Sequence, residues 1–135
     1  MSYTKTQQTQ MTDQSTLCEA LKNLGHKATV QEPGTIRGHY NERSSQKCDV
    51  VLRKEDTKRQ ADIGFTKSKD GSYTLVTDTY VNRDLEGKKM TEFVEGLFVE
   101  YNKVKVRKVA KSVGATFLGE RKTATGQIIL RFAKA

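Results

Sequence analysis

"ADIGFTKSKDGSYTLVTD", residues 61–78, is the stretch on which the fold turns. In its first part Ala61, Ile63 and Phe65 alternate with Asp62, Gly64 and Thr66. A period of two is the mark of a strand with one buried face. "SKDG", residues 68–71, is a hairpin turn, because Asp-Gly tolerates the positive φ that tight turns need. "SYTLVTD", residues 72–78, returns as the partner strand. Upstream, "CDVVLR" alternates Cys48, Val50 and Leu52 with Asp49, Val51 and Arg53 and predicts a third strand. The polar run at residues 54–60 reads as the loop between them. Ile36 opens a further short strand after the "EPG" turn at residues 32–34. Together these segments predict an antiparallel meander with one apolar face.

Helical signals lie on both sides. Asp13 or Ser15 can cap a first helix in which Leu17, Ala20, Leu21 and Leu24 recur at helical spacing, and Gly25 stops it. Residues 1–14 read either as a flexible tail or as an edge strand, since Tyr3, Lys5 and Gln7 alternate with threonines. After a polar connection at residues 79–90, Thr91 is placed to cap a long helix. Glu92 and Glu95 suit its N-terminal end, and the cations from Lys103 to Lys111 suit its C-terminal end. Gly114 marks the stop. "ATFLGE" and "GQIILRF" then read as a closing hairpin with its turn at residues 123–126. Clustered strands flanked by helices predict an α+β fold. The meander and the C-terminal hairpin are expected in one sheet, packed by a short N-terminal helix and a long helix. With 135 residues the chain is expected to form a single domain, 1–135.

The long helix carries two stripes. Phe93, Leu97, Tyr101 and Val104 form one, with Val94 and Phe98 beside it, and Val106, Val109, Ala110 and Val113 form another. The second is rotated around the axis by far more than helical drift allows. This predicts a kink or a change of packing partner, the second stripe meeting either its own core or another chain in an oligomer built through Val106, Val109 and Val113. Lys103, Arg107 and Lys111 recur every fourth residue as a basic ridge, with Lys108 at its edge. The ridge reads as a phosphate contact or, with more weight, as a solvated face that complements the helix dipole. Phe93, Phe98 and Tyr101 lie on the apolar side rather than among the cations, and no helix-turn-helix, zinc-finger or RNP pattern is present.

Composition narrows the options further. The formal charge is +8, with an isoelectric point near 9.5. That allows attraction to nucleic acid, anionic lipid or an acidic protein, and bears on encounter rather than fold. The hydrophobic fraction is 35% and mean hydropathy −0.70, and no apolar run is long enough to span a membrane. "MSYTKTQQTQMTDQ" has no apolar centre of the kind a secretory signal needs, and no arginine precedes Arg37, as a transit peptide would require. Cys18 and Cys48 share no short spacing with each other or with His26 and His39, so they read as buried thiols in a reducing compartment and no metal site is expected.

Asp49, Asp62 and Asp78 occupy equivalent-looking places around the meander. Paired acids could hold a hard cation or act as acid and base, but the preferred reading is a solvent-facing row balanced by nearby cations. His39, in "IRGHYNER", has no serine or cysteine nucleophile in a recognisable elbow, and neither phosphate-loop pattern occurs. No catalytic set, cofactor or metal is therefore expected.

The ordered blocks "IRG", "CDVVLR", "ADIGF", "DGSYTLVTD", "EYNKV", "AKSVGA" and "GQIILRF" resemble the uncharacterised family of the hypothetical chloroplast open reading frame thirty-five, found in algal plastids, cyanobacteria and other bacteria. The resemblance runs from about Leu17 to Phe132. It implies that Arg37, Gly38, Asp49, Asp62, Gly64, Tyr73, Asp78, Tyr101 and Gly114 are the family's marks. The chain departs from the family at "MSYT", at His39 and at the polar "TYVNRDLEGKK", and its helix is unusually basic. The resemblance implies a fold and a compartment, cytoplasm or plastid stroma, but no mechanism. The function expected from all this is that of a small non-catalytic binding or adaptor protein whose partner is another protein. The alternative is a basic protein that associates with RNA or DNA through the Lys103–Lys111 ridge.

Overall fold

The computed structural model describes residues 4–28, 34–37, 43–78 and 82–134, without the side chains of 4, 34 and 43–46. Gly38, His39 and most of the "EPG" turn lie outside the described residues. The chain forms two compact units, Met1–Tyr101 and Asn102–Ala135.

The first unit is built on the hairpin read at residues 61–78. Strands β1 (Thr4–Gln8), β4 (Val50–Leu52), β5 (Ile63–Lys67) and β6 (Tyr73–Asp78) form an antiparallel sheet in the order β1-β6-β5-β4. The turn between β5 and β6 uses Gly71 at φ +90°, and the Asp70 carboxylate accepts from the Ser72 amide. Of the two readings of the N-terminus, the edge strand is the one found: β1 pairs with β6, Thr6 opposite Val76.

Strands β2 (Gly34–Arg37) and β3 (Arg43–Cys48) make a separate two-stranded sheet. "CDVVLR" is therefore not one strand. The chain bends at Asp49, so that Cys48 ends β3 while Val50 begins β4. This changes the expectation of a single apolar face. Val51, Gly64 and Val76 lie opposite one another across β4, β5 and β6, and Ile36, Cys48, Val51 and Val76 form one buried cluster. The other face carries Val50, Leu52, Ile63, Phe65, Leu75 and Tyr73, all buried. Both faces are covered, which is why Val51 and Val76 are as buried as their alternating neighbours.

Helix α1 (Gln14–Asn23) is capped by Asp13, whose carboxylate accepts from the Thr16 amide at 2.9 Å. The expected loop at residues 54–60 contains a helical turn, α2 (Lys54–Thr57), that Lys58 ends in the left-handed region at φ 59°. A 3-10 turn (Arg83–Leu85) precedes helix α3 (Lys88–Ser112). Thr91 is therefore inside α3 rather than at its cap: the buried Met90 and Leu85 extend the apolar pattern one turn upstream. Tyr101 ties α3 to the start of α1 within this unit, its hydroxyl oxygen accepting from the amides of Thr12 and Asp13 at 3.2 and 3.0 Å.

The second unit contains the last turns of α3 and the hairpin of β7 (Ala115–Lys122) and β8 (Ile128–Lys134). Among the described residues this hairpin pairs only with itself, a correction to the expectation of one continuous sheet. A bulge between Phe117 and Gly119 leaves Leu118 unpaired in the register. Helix α3 is continuous, and its second stripe is exposed rather than packed: Val106, Val109 and Val113 are 44%, 59% and 64% accessible. Among the described residues no helix is long and apolar enough to cross a membrane.

Candidate functional site

Of the residues that the resemblance marks, Arg37 and Asp62 meet at a buried carboxylate. The bend after β4 and the end of β2 bring Arg53 and Arg37 to Asp62, which is fully buried. Its Oδ2 accepts from the Arg37 amide (2.8 Å), Arg37 Nε (3.0 Å) and Arg53 Nη1 (2.8 Å), and its Oδ1 from the Lys54 amide (2.7 Å). Arg37 reaches on to Glu55, and Arg53 to the Thr35 carbonyl oxygen. Burial alone would push the Asp62 carboxyl up, but the donors from Arg37, Lys54 and Arg53 together hold it below the usual carboxylate range. A carboxylate with both oxygens occupied by charged and backbone donors ties together the segments that supply them.

This overturns the solvent-facing acidic row. Asp62 and Asp78 are buried, and Asp49 is half-buried, accepting from the Lys67 amide at 2.8 Å. The three acids serve three separate places. Gly64 has an equally local reason: a Cβ there would meet Cys48 Sγ and come within 2.7 Å of Ile36 Cγ2. Tyr73 is buried on the sheet, Tyr101 caps amides, and Gly114 ends α3 at φ +78°. The sequence did not flag Asn82, which bonds the amides of Gln60 and Ala61, the Ala61 carbonyl oxygen and Thr77 Oγ1. An Asn in a polar connection carries no periodic signal. Burial pushes the Cys48 thiol up to about 11, and burial followed by the neighbouring Arg59 lowers the His26 pKa, so both are uncharged near neutrality.

The second unit differs in kind. Residues 102–135 hold nine Lys and Arg and one acid, Glu120, so this short unit carries a net +8. Residues 1–101 hold fifteen cations and fifteen acids and are net neutral. The ridge is not evenly solvated. Lys103 Nζ is 3.1 Å from Glu120, and the Arg107 guanidinium stacks 4.3 Å over the Phe117 ring. Lys108 and Lys111 are exposed. The second stripe forms one wall of a shallow, largely apolar cleft lined by Val106, Val109, Ala110, Val113, Ala115 and Phe132 together with Lys105. Leu118 and Ile128 add exposed aliphatic surface on the hairpin. A charge count by segment, rather than over the whole chain, is the signal that marks this unit in the sequence.

A family model described as a protein of unknown function, DUF1257, matches residues 20–130. No curated protein and no solved structure matches the chain.

Proposed function

We propose, for a chain that belongs to the DUF1257 family of proteins of unknown function, that it is a non-catalytic binding protein whose neutral body carries a basic, apolar-faced arm to an acidic protein partner. One observation carries this reading: the whole net charge of +8 and the exposed Val106, Val109, Val113 and Leu118 fall in the same unit, residues 102–135. An exposed apolar patch framed by charge is the composition of a binding surface, with the charge steering encounter and the apolar centre supplying the burial. Resemblance to the plastid and cyanobacterial open-reading-frame family, together with the free Cys18 and Cys48, supports a place in a reducing compartment, cytoplasm or stroma.

Lysine-directed cross-linking in the native host tests the reading. The expected cross-links join Lys105, Lys108, Lys111 or Lys122 to a protein rich in Asp and Glu. Cross-links confined to residues 1–101 would overturn it.

A second reading, association with RNA or DNA, is favoured by the nine cations of the arm. Against it, Lys103 and Arg107 are engaged within the unit. A gel shift across a salt series separates the two. Phosphate binding demands an affinity that falls steeply with salt and drops when Lys103, Arg107 and Lys111 are replaced together.

A further inference from the structure

We infer that the apolar cleft of the second unit receives an acidic amphipathic α-helix of the partner protein. The inference rests on the reading that residues 102–135 are the binding part, and it specifies the ligand.

Val106, Val109, Ala110 and Val113 follow the spacing i, i+3, i+4, i+7, the row that one helix presents to another. Ala110 and Ala115 are small, so a facing backbone can approach closely between the valines and Phe132. Apart from Lys105 its lining is apolar, which suits successive turns of a helix whose anchors share that spacing. Its surroundings fix the sign of the occupant's polar face. Lys105 is among the lining residues. Lys134 lies across the β7–β8 pair from Ala115, and residues opposite each other on a sheet share a face. Glutamates and aspartates flanking the apolar row of the incoming helix would meet these cations.

The same observations weigh against other occupants. A second copy of the chain would bring a second unit of net +8 against the first. Single-stranded nucleic acid is held on open aromatic faces. Here Phe117 lies under Arg107, Phe132 is half-buried, and residues 102–135 contain no Tyr or Trp. An anionic membrane surface is met by an apolar face with interfacial aromatic anchors, and residues 102–135 contain no Tyr or Trp.

The test is selection from a displayed library of helical peptides, unbiased in charge, against the full chain. Selected peptides should repeat Leu, Ile or Val at i, i+3 or i+4, and i+7, with Glu and Asp alongside. A synthetic consensus peptide, followed by fluorescence anisotropy, should bind the wild-type chain. It should bind about tenfold or more weakly to Val109→Asp and to Lys105→Glu. Both positions are exposed, and circular dichroism should show both variants folded.

The proposal is overturned if selected peptides are basic or lack the helical repeat, if none is enriched, or if Val109→Asp leaves binding unchanged. It is equally overturned if the wild-type chain dimerises through Val109, or if an oligonucleotide or a phosphatidylserine vesicle displaces the consensus peptide. The cross-linking experiment separates the two levels. If the peptide arm fails while Lys105 and Lys108 still cross-link to an acidic protein, only the helical occupant is wrong. If both fail, the reading of the arm falls with it.

Discussion

The antiparallel hairpins β5–β6 and β7–β8 resemble each other locally and differ in everything around them. β5–β6 turns at Gly71 with φ +90°, and β7–β8 turns at Gly126 with φ +89°. In the first, Ile63, Gly64, Phe65, Leu75, Val76 and Thr77 are all buried, because β2–β3 covers one face while the other lies in the core. In the second, most positions are exposed and no further strand pairs with either edge among the described residues. The charges divide the same way: the body has as many acids as cations, while the arm has a single acid. A hairpin is specified by its turn and alternation, but its stability and its use depend on what lies against it. The body uses polar groups such as Asp62 and Asn82 in internal bonds, whereas residues 102–135 leave charge and aliphatic surface exposed.

The contrast can be broken most severely at Asp62. Asp62→Ala would leave Arg37 and Arg53 without their shared acceptor. Losing one member of a buried ion pair costs about 3–5 kcal/mol, and the effect should fall at the lower end because both arginines reach solvent. Urea unfolding of the two proteins measures it. Gly64→Ala comes next, at about 1–3 kcal/mol, because the new methyl group must displace Cys48 or Ile36. Tyr101→Phe removes the acceptor for two backbone amides and should cost about 1–2 kcal/mol.

Acid sharpens the same point. The Asp62 carboxyl titrates lower in the folded chain than in the unfolded one. Its contribution is therefore complete above the unfolded value of about 3.9 and is lost as pH falls through the lower folded value. Wild type should lose stability below about pH 4 more steeply than Asp62→Asn, as thermal melts across that range would show. The smallest effect is expected in the arm. Val109→Asp should change stability by no more than about 0.5 kcal/mol, since Val109 is 59% exposed. Hydrogen exchange supplies the complementary measurement, with amides of β7 and β8 exchanging well before those of β5 and β6.

Much of this was legible in residue order. The alternation of Ile63 and Phe65, the Asp-Gly turn, the Asp13 cap, the Gly25 and Gly114 stops and the two stripes of α3 are local signals, and each appears where its chemistry places it. The break at Asp49 was not legible. "CDVVLR" alternates across it without interruption, and only the pairing of Cys48 with Gly34 and of Val50 with Phe65 shows that two sheets share the run. The start of α3 was misjudged because Gly87, Lys88 and Lys89 look polar, while Leu85 and Met90 are buried on either side of them.

Sequence alone determined the α+β class, the central hairpin, the Asp13 cap, the stops of α1 and α3 and the apolar rows, because these depend on periods and turn residues a few positions apart. Tertiary structure alone decided which rows are covered. Val51 shares its strand phase with Asp49 and Arg53 yet is 2% exposed, while Val106 lies on an apolar helical stripe yet is 44% exposed. Asp62 and Asp49 sit at matching points of two strand patterns, yet only Asp62 gathers two arginines. The reason is physical: burial and ion pairing depend on the groups that long-range folding brings within a few ångströms, and no local period encodes that.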